Sequence, residues 1–519
     1  MDTKALRQKI LDLAIRGKLV PQDPNDEPAE VLLERIREQK QQMFKEGKLK
    51  KKDIKNDTII FKGEDNLHYE KFQDGTVKCI EDEIPFEVPE GWAWCKLNDI
   101  YNFIDYRGAT PTKITNGIPL VTAKNVKSGY IDYTIDDYIS EEEFKERQQR
   151  GISKKGDILF TTEAPLGNAA LADMEKFSAG QRLITFQQYG SKDELINYVM
   201  LMFILSDFFQ QQLYVNKTGS TVAGIKAAIL KTLWIPVPPY NEQLRISNTL
   251  KSAINLIDSI SKNKEILSTS ISNTKSKILD LAIRGKIVPQ DPNDEPASVL
   301  LERIRAEKEE LIKQGKIKRD KKESVIFKGD DNSYYEKIGN KVNCIDEEIP
   351  FELPEGWAFI RLKIAWELIS GRDLSPSEYN DKNDGIPYIT GASNFRNGHI
   401  SLVRWTTVPQ VITRRGDLLL TCKGTIGEIA HNNFGEAHIA RQIMAIRNIY
   451  SLNIDFLALC IEYSMTKIKQ AAKGLIPGIS REDILNLVIP IPPIKEQENI
   501  CNKLKVTFSA IEHIEKSLN

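Results

Sequence analysis

Cysteine and histidine are scarce in this 519-residue chain: six cysteines, at 79, 95, 344, 422, 460 and 501, and five histidines. No CxxC pair occurs and the histidines form no ligand-spaced cluster, so a sequence-evident metal site and a disulfide framework are both excluded, and reduced thiols are expected. No run of about 18 apolar residues is present, and the first residues (MDTKALRQKI) are charged and amphipathic. Neither a membrane span nor a secretion signal is expected, and the cytoplasm is the expected location. There is no GxxxxGK[ST] phosphate loop, no glycine-rich dinucleotide fingerprint after a strand, and no evident Ser/His/Asp or Cys/His arrangement. Catalysis by this chain is therefore not expected. A net charge is missing as well. Against 73 acidic residues stand 72 Lys and Arg, a balance that names no partner by itself, because basic faces can be hidden in a neutral total.

What is present is a repeat. Residues 9–37 (KILDLAIRGKLVPQDPNDEPAEVLLERIR) match residues 277–305 at 27 of 29 positions; Leu19/Ile287 and Glu30/Ser298 differ. IFKGEDNLHYEK (60–71) recurs as IFKGDDNSYYEK (326–337), and CIEDEIPFEVPEGWAW (79–94) as CIDEEIPFELPEGWAF (344–359). About 140 much less similar residues follow in each copy, and then IPVPPYNEQLRI (235–246) returns as IPIPPIKEQENI (489–500). Near-identical flanks around divergent inserts imply one scaffold used twice to present two different heads. The first match is offset by 268 and the last by 254, so the chain stops about where its own beginning would continue. The halves read as a circularly permuted pair with pseudo-twofold character.

The element that the two termini jointly rebuild runs unbroken from about 241 to 286. Positions 253, 257, 260, 264, 267, 271, 274, 278 and 281 alternate in steps of four and three, and all but Lys264 and Thr274 are apolar. That is a coiled-coil stripe, on a helix of roughly 65–70 Å. Ile500, Leu504, Phe508, Ile511, Ile514 and Leu518 continue the pattern at the end of the chain, and residues 4–16 mirror the end of the central helix. The expectation is an antiparallel pair, the central helix against a composite of the two chain ends.

After each RGK comes PQDPNDEP, and then a second helix, with Asn25 or Asp26 as its cap, Pro28 in its first turn and Gly47 as its stop; its partner runs from about Pro296 to Gly315. Lysine runs follow both, at 48–53 and 316–322, and read as solvated faces or as phosphate contacts. In the inserts, strands are expected at 118–123, 157–162 and 183–188, with counterparts at 386–391, 417–422 and 443–448. Matching glycines (Gly117/Gly385, Gly156/Gly416, Gly167/Gly427, Gly224/Gly478) imply one backbone with shared tight turns. WIPVPPY (234–240) superficially resembles the proline-rich catalytic motif of amino-methyltransferases. It lacks the leading Asp or Asn that would hold the amine and is repeated as VIPIPPI (488–494), so it reads as a strand running into a helix-entry turn.

The segments ILDLAIRGKLVPQDPNDEPA, PEGW, GIPYITGASNF (385–395), GDLLLTCKGTIG (416–427) and IPIPPIKEQ (489–497) together resemble the specificity (S) subunits of type I restriction–modification systems, over essentially the whole chain. The resemblance implies an α+β chain with two similar α/β target-recognition domains separated by a long antiparallel helical coiled coil. The segments become 1–20 and 494–519, the two ends of the conserved helical region; 21–90 and 288–355, helix and lysine-rich connector; 91–239 and 356–493, the recognition domains; and 240–287, the central helix. It implies a non-catalytic subunit that reads two unlike half-sites of double-stranded DNA. Two modification (methyltransferase) subunits and the restriction (nuclease/translocase) subunits are its partners, with no membrane involved. No cofactor is expected on this chain; S-adenosylmethionine, ATP and Mg are expected on the partners. Methylation of adenine requires the base to be flipped from the stack, and heads on a rigid spacer fix the distance between half-sites, one DNA turn being about 34 Å. A scaffold whose paired domains bind protein or carbohydrate is the alternative.

Base readers are expected among polar groups at strand ends and glycine-rich loops: Thr122, Lys124, Asn125, Lys127, Gln181, Arg182, Lys217, Ser220 and Thr221 in the first domain. In the second they are Thr390, Ser393, Asn394, Arg396, Lys423, Arg441, Gln442, Lys473, Ser480 and Arg481. Arg and Lys suit guanine edges, Asn and Gln adenine edges, and Ser and Thr are permissive.

Overall fold

The computed structural model describes residues 2–518 except 56, 107–109, 190–193, 220–222, 316, 318–322, 397, 451 and 472–477. It divides into two compact units, Met1–Lys264 and Glu265–Asn519. Each is α+β and is assembled from the same parts once the permutation is allowed for. Unit 1 has helices Thr3–Ile15 and Ala29–Lys45, then a three-stranded antiparallel sheet (Ile59–Lys62, His68–Lys71, Val77–Cys79). Strand Ala93–Lys96 pairs with Trp234–Val237, and a four-stranded antiparallel sheet runs in the order Tyr101–Asp105, Leu183–Gln188, Ile158–Thr161, Ala169–Leu171. Unit 2 repeats these as helix Ala297–Lys313, the sheet Ser324–Lys328, Tyr334–Ile338, Lys341–Cys344, the pair Ala358–Arg361 with Val488–Ile491, and the order Trp366–Ser370, Ile443–Asn448, Leu418–Thr421, Ile429–His431. All six insert strands expected from the sequence are present, and Gly156/Gly416 and Gly167/Gly427 all have φ between +87° and +91°.

The helix that begins at Tyr240 continues to Ile283, 44 residues, so its first part belongs to unit 1 and its last part to unit 2. Inside unit 1, Arg7 of the first helix pairs with Asp258; inside unit 2, Lys275 pairs with Glu515 of helix Ile494–Leu518 at 2.7 Å. Arg7 and Lys275 are equivalent under the repeat. The expected apolar seam is only partly realised. Ile257 and Ile271 are buried, but Leu267 is 40 % exposed, and burial follows Ile246, Leu250 and Ile254 in unit 1 and Leu279, Ala282 and Ile283 in unit 2. Each end of the helix turns its apolar face to the core of its own unit, which rotates the buried stripe away from a uniform heptad.

A second expectation is corrected at the helix starts. Neither Asn25 nor Asp26 caps helix Ala29–Lys45: Pro28 occupies the cap position without a side-chain bond. The first amide is satisfied from a distance, Ala29 N–H donating to the Gly91 carbonyl at 2.7 Å and Ala297 N–H to that of Gly356 at 2.8 Å. Asp26 instead pairs with Arg245.

The repeated motifs meet one another. Gly17 of RGK has φ +63°, and a Cβ there would lie 2.3 Å from Pro89 Cγ; at Gly285, φ +67°, it would lie 2.7 Å from Pro354 Cγ. Trp92 Nε1 donates to Glu242 Oε2 at 2.9 Å and Trp357 Nε1 to Glu496 Oε2 at 2.9 Å. The neighbouring glutamines close the strand-to-helix turn: Gln243 Nε2 donates to the Pro238 carbonyl at 3.0 Å and Gln497 Nε2 to that of Pro492 at 2.9 Å. RGK, PEGW and PPxxEQ are thus one junction, present once in each unit.

Beneath the four-stranded sheets the units differ. Asp157, 6 % exposed, accepts from Lys154 N–H at 2.8 Å and Gln187 Nε2 at 2.9 Å, and burial pushes its carboxyl up to about 6. The equivalent Asp417 is bridged twice by Arg447, at 3.0 and 2.8 Å. An aspartate in an unfolded chain titrates near 3.9, so native Asp157 holds its proton to higher pH, and its contribution to stability falls as pH rises from about 4 to about 6. Gln187→Arg should transplant the Asp417–Arg447 pair. In the full chain, amide exchange of strand Ile158–Thr161 should slow about tenfold at pH 7.5, equivalent to about 1.4 kcal/mol, with no gain at pH 4.5. Equal slowing at both pH values would contradict this account.

Candidate nucleic-acid interface

In an antiparallel sheet, one end gathers the exits of alternate strands, and the loops there can present side chains side by side. In unit 1 that end holds the exit of Ile158–Thr161, the entry of Leu183–Gln188 and the exit of the short strand Ile118–Val121. Thr162 N–H donates to the Arg182 carbonyl at 3.0 Å, Ile225 N–H to that of Thr162 at 3.0 Å and Gly180 N–H to that of Val121 at 2.7 Å. Unit 2 repeats the bonds: Cys422 N–H to Gln442 at 2.8 Å, Ile479 N–H to Cys422 at 2.8 Å, and Ala440 N–H to Ile389 at 2.9 Å. Isolated bridges Glu163↔Gly224 and Lys423↔Gly478 stand at the same place in the two units. The backbone frame is common; the side chains on it are not. Glu163, Gln181 and Arg182 of unit 1 correspond in the repeat to Lys423, Arg441 and Gln442 of unit 2.

Of the sequence candidates, Gln181, Arg182, Lys423, Arg441 and Gln442 converge on this rim. Arg182 pairs with Glu163 at 3.1 Å and Arg441 with Asp373 at 2.7 Å, all four well exposed. Exposed pairs contribute only about 0–1 kcal/mol, so a nucleic-acid contact can replace them at small cost. Thr110 Oγ1 lies 3.2 Å from Gln181 Oε1. Lys217 lies 3.4 Å above the Tyr214 ring, and its bond to the Tyr214 hydroxyl lowers that group from its ordinary range; the Thr218↔Gly224 bridge joins it to the rim. Lys124, Ser393 and Arg396 are exposed, with no ion pair to a described residue, and Lys127 lies 3.7 Å from Asp132. Ser220, Thr221 and Lys473 lie outside the described residues.

Four candidates make bonds within the fold: Asn125 and Asn394 are buried, while Ser480 and Arg481 stay exposed. Asn125 is 3 % exposed: its Oδ1 accepts from Thr122 N–H and Oγ1 at 2.9 and 2.7 Å, and its Nδ2 donates to the carbonyls of Ile135 and Asp132 at 2.9 and 3.0 Å. Asn394, 1 % exposed, is held the same way by Thr390 at 3.0 and 3.1 Å and donates to the Ser401 carbonyl at 2.8 Å. Buried amides with every group engaged fix their loops and have nothing left for a base. Ser480 caps helix Arg481–Leu485, and Arg481 Nη1 donates to Leu368 O at 2.7 Å and Ser370 Oγ at 2.9 Å. Thr122 and Thr390 support the two asparagines.

Glu163 and Asp373 were not among the sequence candidates, which were cationic, amide and hydroxyl side chains. The glycine pairing Gly167/Gly427 was the available signal, since it aligns Glu163 with Lys423 in the repeat. The structure also gathers His68, Glu81 and Glu87, whose ligand atoms lie within 4.8 Å of one another. In unit 2 Tyr334 stands in place of His68, while the bond to the backbone is kept: His68 N–H to Glu81 at 2.8 Å, Tyr334 N–H to Asp346 at 2.6 Å. The shared role of the carboxylate is to close the hairpin. Among the described residues no helix is long and apolar enough to cross a membrane.

A chain that carries one α+β frame twice, with unlike side chains on equivalent rims, is a paired recognition protein. It belongs to the family described as type I restriction modification DNA specificity domain, whose model matches residues 89–268 and 354–519. Members of this family are the non-catalytic DNA-recognition chains of type I restriction systems. The chain is 27 % identical to the specificity subunit of the type I restriction enzyme EcoAI of Escherichia coli, over 97 % of this chain and 90 % of that one. It is likewise 27 % identical to the EcoEI specificity subunit of Escherichia coli, over 99 % and 90 %. Its fold is similar to a chain in a solved structure concerned with complex assembly and conformational transition of the type I R-M system, with a TM-score of 0.56 and 19 % identity over 84 % of this chain and 94 % of that one.

If Asn125 positions its loop, Asn125→Ala should weaken methylation at the whole target several-fold without changing the bases selected. Methyladenine mapping checks this, and an altered base preference would return Asn125 to the readers.

Proposed function

We propose that this chain is the sequence-specificity subunit of a type I restriction–modification complex, reading a bipartite double-stranded DNA target in which residues 91–239 read one half-site and 356–493 the other. The observation that supports it is the common rim with unlike side chains: Glu163/Lys423, Gln181/Arg441 and Arg182/Gln442 occupy equivalent backbone positions. In unit 1, Arg182 reaches a guanine O6/N7 edge, and Glu163, released from it, accepts from a cytosine amino group. In unit 2, Arg441 suits guanine and Gln442 adenine. Lys124, Lys217, Arg396 and Lys423, with Ser220, Thr221, Ser393 and Lys473, complete the DNA-facing set, and most of these contacts go to phosphates. Two methyltransferase subunits carry S-adenosylmethionine, and restriction subunits carry ATP and Mg; this chain binds none of these and places the methyltransferases over their adenines in the cytoplasm. Charge neutralisation shared with those partners is compatible with a net charge of −1.

Exchanging residues 91–239 for another such domain should change one half-site and leave the other, as read by methyladenine mapping in cells carrying the methyltransferase. A change in both halves would overturn the assignment. Arg182→Gln should lower discrimination at one base pair of the first half-site by about 1–3 kcal/mol, with the second half-site unaltered.

A further inference from the structure

The rims diverge, but one solvent-facing surface does not. In the three-stranded sheet of unit 1, Phe61, Tyr69 and Cys79 are cross-strand neighbours, and Ile59, Lys71 and Val77 form the next row on the same face. Unit 2 has Phe327, Tyr335 and Cys344, then Val325, Lys337 and Val342. The opposite face is buried through Glu70 and Glu336. The outward aromatics are held in place: Phe61 and Tyr69 stack at 5.8 Å and Phe327 and Tyr335 at 5.9 Å, each at 26°. Tyr69 Oη donates to Asp65 Oδ2 and Tyr335 Oη to Asp331 Oδ2, both at 2.7 Å. A Cβ at Gly63 or Gly329 would come within 2.8 Å of the tyrosine ring, so glycine keeps the ring flat on its loop. Val77 is 53 % and Val342 52 % exposed.

An exposed sheet face needs no fixed aromatics for stability. A rigid tyrosine beside aliphatic groups is the composition of an interface centre, because such a ring loses little freedom on contact. We propose that this face, once in each unit, docks one copy of the same protein partner, an apolar patch with a carboxylate that meets Lys71 or Lys337. Both lysines are exposed, with no ion pair to a described residue. The occupant is the methyltransferase subunit. This rests on the proposed function, which requires two identical copies of that subunit on one chain whose DNA-reading rims are unlike. Equal partners need equal faces, and here the face repeats while the rim does not.

Cys79 and Cys344 lie on the face and are exposed, whereas Cys95, Cys422 and Cys460 are buried and Cys501 is half-buried, so alkylation mapped to Cys79 and Cys344 reports on its coverage with no substitution. In the full chain assembled with its methyltransferase, maleimide reaction at both thiols should slow by about tenfold or more, as for thiols withdrawn from solvent. Val77→Glu should remove one methyltransferase copy and Val77→Glu with Val342→Glu both, by native mass spectrometry, while Val77→Thr keeps two. A complex with two copies and fully reactive thiols overturns the proposal and leaves the specificity function standing. Protection by double-stranded DNA alone overturns it in favour of a nucleic-acid surface. A chain that takes up no methyltransferase overturns both readings.

Discussion

The bond between a buried indole and a buried glutamate, Trp92 to Glu242 and Trp357 to Glu496, is the constraint on which the rest of each unit depends. Burial raises both carboxyls from their ordinary range, and the indole bond lowers them. A carboxylate withdrawn from water stays tolerable only where donors meet it. The bond fixes the start of a long helix against the PEGW loop. That loop supplies the carbonyl that receives the first amide of helix Ala29–Lys45 or Ala297–Lys313, and its proline packs on the glycine of RGK. Three motifs far apart in sequence are one object in space, and none can change alone. This is a physical reason for the flanks of the two copies to match while the inserts between them do not.

Inside the inserts the same backbone problem has two chemical solutions. Asp157 is held by the Gln187 amide and Asp417 by an ion pair with Arg447, under sheets of the same strand order. The frame tolerates this because its register comes from strand pairing and from the two buried asparagines, Asn125 and Asn394, which lock equivalent loops through side-chain-to-backbone bonds. With the loops fixed from within, the outward positions on the rim are free to vary in charge. An acid-and-arginine pair in one unit and a lysine beside a glutamine in the other sit on the same bridges. Specificity can diverge in such a protein without disturbing its core.

Much was legible in the sequence. The repeat, its permutation, the two divergent inserts, six of their strands and the strand-to-helix reading of the proline motifs followed from identity, period and turn chemistry, which are local properties written residue by residue. The rim was half legible: Gln181, Arg182, Lys423, Arg441 and Gln442 stood out because polar residues flanking strands collect at sheet ends. What the sequence could not determine was which polar side chains are spent. Asn125 and Asn394 resemble base readers in composition, and only their burial, among partners up to ten residues away, shows them to be loop supports. Asp373 carries no signal until its arginine is placed beside it, and Glu163 only the one that the glycine pairing of the repeat provides. The helix seam was legible as a period, and of its apolar positions only Leu267 is exposed; the core that each end of Tyr240–Ile283 packs on decides which residues are covered most deeply. Local periodicity and turn signals are fixed by neighbours along the chain, whereas burial and hydrogen-bond satisfaction are fixed by residues brought together only when the chain folds.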